Sequence, residues 1–186
     1  FGLIRASFVI GSVRESGCTS WPPKPRSFGK NNPRTTFEQV ARALEHAQEN
    51  NIVHRDIKPD NIMINTKGRA KLCDLGLAKS TKQDAHLTQT GVALGTPYYI
   101  SPEQARGEEI IDTRSDIYSL GVTLFHMVTG QVPFNGPTPA VIMTKHLTDE
   151  MPDPRLVRST LSPEICTIIT RMAMKKPEQR FQTAAE

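Results

Sequence analysis

Apolar residues recur every three or four positions from Thr36 onward: Phe37, Val40, Leu44 and Ala47 share one face of a helix over about 36–49. Asn50 and Asn51 supply its stop, and Ile52-Val53 opens a short extended run. The period then changes. Positions 62–64 and 70–73 are short β-prone runs joined by the turn-rich Asn65-Thr66-Lys67-Gly68-Arg69, which predicts a β-hairpin. Residues 80–91 are polar and aperiodic and read as a loop. The stretch 115–130 is apolar over most of its helical surface, through Ile117, Leu120, Val122, Leu124, Phe125 and Val128, the pattern of a buried central helix. Further helices are expected at 138–148, at 162–174 behind the good start Ser162-Pro163-Glu164, and at 183–186.

Residues 1–34 break this order. Pro22, Pro23, Pro25 and Pro33 punctuate serines, arginines and one short apolar patch at 8–10, so this leader is expected to be poorly ordered and 35–186 to form the domain. The leader also explains the charge: Arg5, Arg14, Lys24, Arg26, Lys30 and Arg34 stand against Glu15 alone, a surplus of +5, so the remainder of a chain whose net charge is +4 carries −1. The domain itself is close to neutral, which argues against a nucleic-acid face. No apolar run approaches the roughly 20 residues that a membrane span requires. Cys18, Cys73 and Cys166 are odd in number, far apart and in no CxxC pattern, so neither disulfides nor a zinc site is expected, and a reducing cytoplasm fits best.

The hairpin places chemistry together. Antiparallel pairing returns Asp74 to the neighbourhood of Asn61, so an amide oxygen and a carboxylate converge at one open end, a donor pair suited to Mg²⁺. Asp56 and Lys58 stand just upstream, a base and a point charge for phosphate. Taken singly, each has a structural reading: Asp56 as a cap, Asn61 as a turn residue, Asp-Leu-Gly as chance. Together they are the equipment of phosphoryl transfer, where positioning and charge neutralisation dominate.

His54-Arg55-Asp56-Ile57-Lys58-Pro59-Asp60-Asn61 resembles the catalytic loop of protein kinases, and Asp74-Leu75-Gly76 their DFG motif. Gly95-Thr96-Pro97-Tyr98-Tyr99-Ile100-Ser101-Pro102-Glu103 resembles their substrate-facing loop with its APE ending. The likeness runs from about Thr36 to Glu186, is closest to bacterial-type serine/threonine kinases, and implies a mainly α C-terminal lobe with a small β-hairpin carrying catalytic residues. It implies that Asp56 accepts the proton of a substrate hydroxyl, that Lys58 neutralises the γ-phosphate of ATP, and that Asn61 and Asp74 hold Mg²⁺, or Mn²⁺ in its place. Lys58 with Thr96 marks serine/threonine targets on protein substrates. Arg55 would receive a phosphate from Thr88 or Thr90, with Ser80 and Thr81 as weaker candidates. His54 and Asp116 would be architectural, and Glu103 would pair with Arg180 in the core. Cys73 would line the nucleotide pocket or serve as a small buried hydrophobe.

The resemblance has a gap. A working kinase also needs a Gly-rich loop, a strand lysine and a helix glutamate. Gly2, Gly11, Gly17 and Gly29 give no G-x-G-x-x-G spacing, and Lys24 and Lys30 follow no apolar strand. The N-terminal lobe is therefore expected to be absent from this chain, to be supplied by a missing segment or a partner. Leu75 and Ser101 replace the usual Phe and Ala, substitutions expected to be tolerated. Two functions follow from different classes: the catalytic lobe of a kinase, or a binding and scaffold module that uses the same surface.

Overall fold

The computed structural model describes residues 3–5, 33–74, 79–80 and 97–186. It is mainly helical, with a three-stranded sheet built on the hairpin and a separate pair of two-residue strands. Helix α1 (Pro33–Glu49) begins three residues before the apolar period does, because Pro33 is already set for a first helical turn. It buries Val40 and Leu44. Its end follows from the two asparagines: the Asn50 side chain donates to the His46 carbonyl at 2.8 Å, and Asn51 takes a left-handed φ of 56°.

After β1 (Leu3–Arg5) and α1 come β2 (Ile52–Val53), β3 (Ile62–Asn65), β4 (Ala70–Leu72) and β5 (Lys79–Ser80). Strands β3 and β4 form the expected hairpin, with Ile62 opposite Leu72 and Ile64 opposite Ala70. The Asn65 carboxamide oxygen closes the turn by accepting from the amides of Lys67 and Arg69, both at 2.9 Å. Two pairings were not anticipated. Strand β1 lies within the segment expected to be poorly ordered, yet it runs antiparallel to β3, Leu3 opposite Asn65. Strand β5 pairs with β2. Both join runs of two or three residues far apart in sequence, which are too short to carry a period.

The core is built on α3 (Thr113–Thr129), enclosed by α1, by α2 (Pro102–Arg106) and by α5 (Pro163–Met172). Ile117, Leu120, Val122, Leu124 and Phe125 are all at most 2% exposed. Gly121 allows α5 to come close: a Cβ there would stand 2.7 Å from Cβ of Met172. Asp112 caps the start of α3, and Gly130 ends it at φ 81°. Helix α4 (Pro139–Thr148) lies against α2. The helix expected at 183–186 does not form, since four residues give too few internal bonds to offset nucleation. Among the described residues, no helix is long and apolar enough to cross a membrane.

Candidate active site

The segment 54–58 is held by its backbone, which leaves its side chains for chemistry. Asp116, 2% exposed near the start of α3, accepts from the amides of His54 at 2.7 Å and Arg55 at 2.8 Å. Burial raises its pKa to about 6 against the opposing pull of those two amides. Arg55 takes φ 68°, a conformation unusual for a side chain with a Cβ, and its carbonyl accepts from Gln104 of α2 at 2.8 Å. His54 is fully buried. Burial lowers its pKa and keeps the ring neutral: Nδ1 accepts from the Asp56 amide at 3.3 Å while Nε2 donates to the Cys73 carbonyl at 2.9 Å. One imidazole thus ties the loop to the end of the hairpin.

The side chains then converge. Oδ2 of Asp56 accepts from Nζ of Lys58 at 2.7 Å and from Nδ2 of Asn61 at 2.9 Å. Nδ2 of Asn61 also donates to the Asp56 carbonyl at 2.8 Å. With both amide hydrogens engaged, the Asn61 orientation is fixed and its Oδ1 is the atom left for a ligand. The Cys73 amide donates to the Asn61 carbonyl at 2.8 Å, extending the ladder one step past Ile62 and Leu72. Asp74 follows directly, exposed and at φ 63°. An amide oxygen with a solvent-facing carboxylate is a hard-oxygen set, and its chemistry fits a divalent cation that also keeps water and phosphate ligands. Cys73 is half-buried, not the buried hydrophobe considered above; its thiol faces the Lys71 carbonyl at 3.9 Å.

Glu103 and Arg180 meet in the core through two bonds of 2.6 and 2.9 Å. Ser115 donates to the same carboxylate at 2.6 Å, and Arg180 donates to the carbonyls of Met174, Arg114 and Lys175. Burial alone would raise the Glu103 pKa, but the bonds and charge of Arg180 outweigh it and hold the carboxyl below its ordinary value. Thr88, Thr90 and Thr96, with Leu75, Gly76 and Thr81, lie outside the described residues.

Sequence reasoning missed two contributors. Ser101 caps α2 in a full capping box with Gln104, so the departure from Ala adds a bond as well as being tolerated. The S-x-x-Q spacing at 101–104 carried that signal. Gln104 carries it on to segment 54–58 through the Arg55 carbonyl.

Residues 9–186 match the protein kinase domain family. The chain is 39% identical to the serine/threonine-protein kinase PknB of Mycobacterium leprae over 157 residues, which are 83% of this chain and 25% of that protein. PknB of Mycobacterium tuberculosis H37Rv is 38% identical over 162 residues, 85% of this chain and 26% of its own length. A probable serine/threonine-protein kinase of Clostridium acetobutylicum is 42% identical over 148 residues, 80% and 22%. The chain therefore spans about a quarter of the length of these curated relatives. With the kinase family matched along almost its whole length, and with bacterial serine/threonine kinases as relatives, the chain belongs to the protein kinase family, on its bacterial serine/threonine side.

Proposed function

We propose that residues 35–186 are the C-terminal, catalytic lobe of a cytoplasmic serine/threonine protein kinase, which transfers the γ-phosphate of ATP to protein hydroxyls once an N-terminal lobe is present. The observation that carries this reading is the bonding of Asp56. Its Oδ2 is taken by Lys58 and Asn61, and Oδ1 has no partner among the described residues, which leaves a carboxylate oxygen to accept the proton of a serine or threonine hydroxyl. Lys58, 2.7 Å from that carboxylate, is within a short swing of any phosphate that approaches it. Asn61 and Asp74 would hold Mg²⁺ or Mn²⁺, which when bound neutralises charge on the phosphates of ATP.

Regulation belongs to the same reading. Nε of Arg55 is buried without a hydrogen-bond partner among the described residues, which suits a receptor for a phosphate on Thr88 or Thr90. Replacing both threonines by Ala is expected to lower the activity of the completed kinase severalfold, and undiminished activity would remove them from regulation.

The deciding experiment joins the chain to the nucleotide-binding lobe of one of the bacterial kinases above. Labelled phosphate from ATP should then pass to a Ser/Thr protein, and Asp74→Ala should abolish transfer. Residues 1–186 alone should be silent with Mg-ATP, because the cover and the strand lysine that position the phosphates are lacking, and a misplacement of ~1 Å costs on the order of a hundredfold. No transfer from the joined form would support the scaffold reading instead.

A further inference from the structure

The face of α5 turned away from the core borders a hollow that the kinase reading does not use. Its volume is about 510 Å³, within the ~300–1,000 Å³ of small-molecule sites, and its other walls are the 3₁₀ turn Pro154–Leu156 and the segment that follows α5. None of the lining residues belongs to segment 54–61 or to the hairpin. The lining divides by burial. Cys166 is buried and Met151 and Met174 are half-buried, whereas Arg155, Thr170 and Arg171 are exposed, so three sulfur-bearing side chains make the floor and polar groups the rim. Thioether and thiol groups are soft and polarizable and adapt to aromatic and aliphatic shapes alike. Burial pushes the Cys166 thiol pKa up, and Asp153 and Arg155 are near enough for their charges to act on it as well, which places the turn across the floor from α5.

The rim carries one cation ready for an anion. Arg155 is engaged by its neighbour Asp153, through Nε at 3.4 Å and Nη2 at 3.3 Å. Arg171 makes no hydrogen bond among the described residues. Its Nη2 lies 3.6 Å from Oε2 of Glu186 with both side chains about half exposed, a weak pair, and its guanidinium lies over the Phe181 ring, 4.2 Å from the centroid. A planar fork held by an aromatic ring, with its N–H groups unspent, suits a carboxylate. Met174 joins the floor to the core: its carbonyl accepts from Nε of Arg180 at 2.7 Å, in the network that holds Glu103.

We propose that this hollow is a binding site for a small amphipathic carboxylate, its apolar body on Met151, Cys166 and Met174 and its head on Arg171. The site is independent of the kinase reading. Residues 1–186 labelled with ¹³C at the methionine methyls provide the test, with 4-phenylbutyrate as the probe and 4-phenylbutanol as its neutral counterpart. The methyl signals of Met151 and Met174 should shift saturably with the acid, with a Kd of about 1 mM, the ordinary return for a ligand of a dozen heavy atoms, while those of Met63 and Met143 stay in place. The alcohol should bind about tenfold more weakly, for want of the charge-assisted bonds. Arg171→Gln should weaken the acid about tenfold and leave the alcohol within about twofold. Thr170→Trp, which fills the hollow from its rim, should abolish binding of both. If Arg171→Gln lowers the melting temperature, Arg171→Lys carries the comparison: it keeps the charge without the fork and should weaken the acid about threefold. Shifts that do not saturate by about 20 mM, twenty times the expected Kd, would overturn the proposal. So would equal affinity for the alcohol, unchanged affinity on loss of the Arg171 fork, or matching shifts at Met63 and Met143.

Discussion

Asp56 shows how much a single side chain depends on neighbours that, among the described residues, leave it one oxygen without a partner. Asn61 and Lys58 both bind Oδ2, so removing the charge while keeping the shape should cost function before fold. We expect Asp56→Asn in the completed kinase to lose about a hundredfold or more in turnover, the usual size of a general-base contribution. Its melting temperature should change little, since the new carboxamide oxygen still accepts from Asn61; turnover and melting measured on one preparation settle both points, and wild-type turnover would show that Asp56 is not the base. Residues of this kind were legible because they fall within eight consecutive positions whose chemistry is interdependent. The contact of Tyr99 with His126 was not: 27 residues separate them, and although Tyr99 falls in the stretch 95–103, only side-chain geometry joins it to His126. The left-handed backbone at Arg55 and Asp74 was equally hidden, because neither is a glycine and the sequence carries no mark of it.

Among the elements, those with a long period were read to within about three residues. Helix α3 announced itself by being apolar on nearly every side, and the structure encloses it accordingly. The shortest elements were read less well for the opposite reason: β1, β5 and the partner of β2 depend on pairing between distant parts of the chain, although the extended run at Ile52-Val53 was expected, and 183–186 lacked the length to be a helix at all. The small helix α2 lies between these cases. Five residues cannot sustain a helix alone, so its capping box supplies a large share of its stability. Ser101→Ala should destabilise the chain by about 1 kcal/mol in urea unfolding. Because the Gln104 amide would lose the Ser101 Oγ that accepts from it, amide exchange should also rise at Arg55 and Asp56, to which Gln104 is joined through the Arg55 carbonyl, and a change confined to α2 would show that the cap does not communicate with segment 54–58.

At the scale of the whole molecule, the buried histidines set how stability depends on pH. His146 is fully buried, hydrogen-bonded to Tyr118 at 2.9 Å and set edge-on to Phe134; burial, helped by the nearby Lys175 cation, pushes its pKa down to about 3. Burial lowers those of His54 and His126 as well. In the unfolded chain each of the three takes up a proton below about pH 6.5, whereas in the folded chain that uptake is moved to lower pH, as far as about 3 for His146. The unfolded state then binds more protons, so stability is full above that pH and declines as the pH falls through it, approaching ~1.4 kcal/mol per pH unit for each histidine. Asp116 acts in the other direction: its pKa of about 6 means that the folded chain holds a proton between about pH 6 and 4 that the unfolded chain has released, so acidification favours the fold through this one group. Three histidines against one carboxyl leave a net loss. Glu103 and Asp112, both held below their ordinary values, add to it only at still lower pH. Urea unfolding at fixed ionic strength should therefore give a stability that falls as the pH is lowered from 7 to 5, because the unfolded chain takes up protons at the three histidines before the folded chain does. His146→Gln should make the dependence shallower by close to one proton. A stability that is level or rises toward pH 5 would mean that the three rings are protonated in the fold, and that the neutral His54 linking the catalytic segment to the hairpin has been assigned the wrong charge.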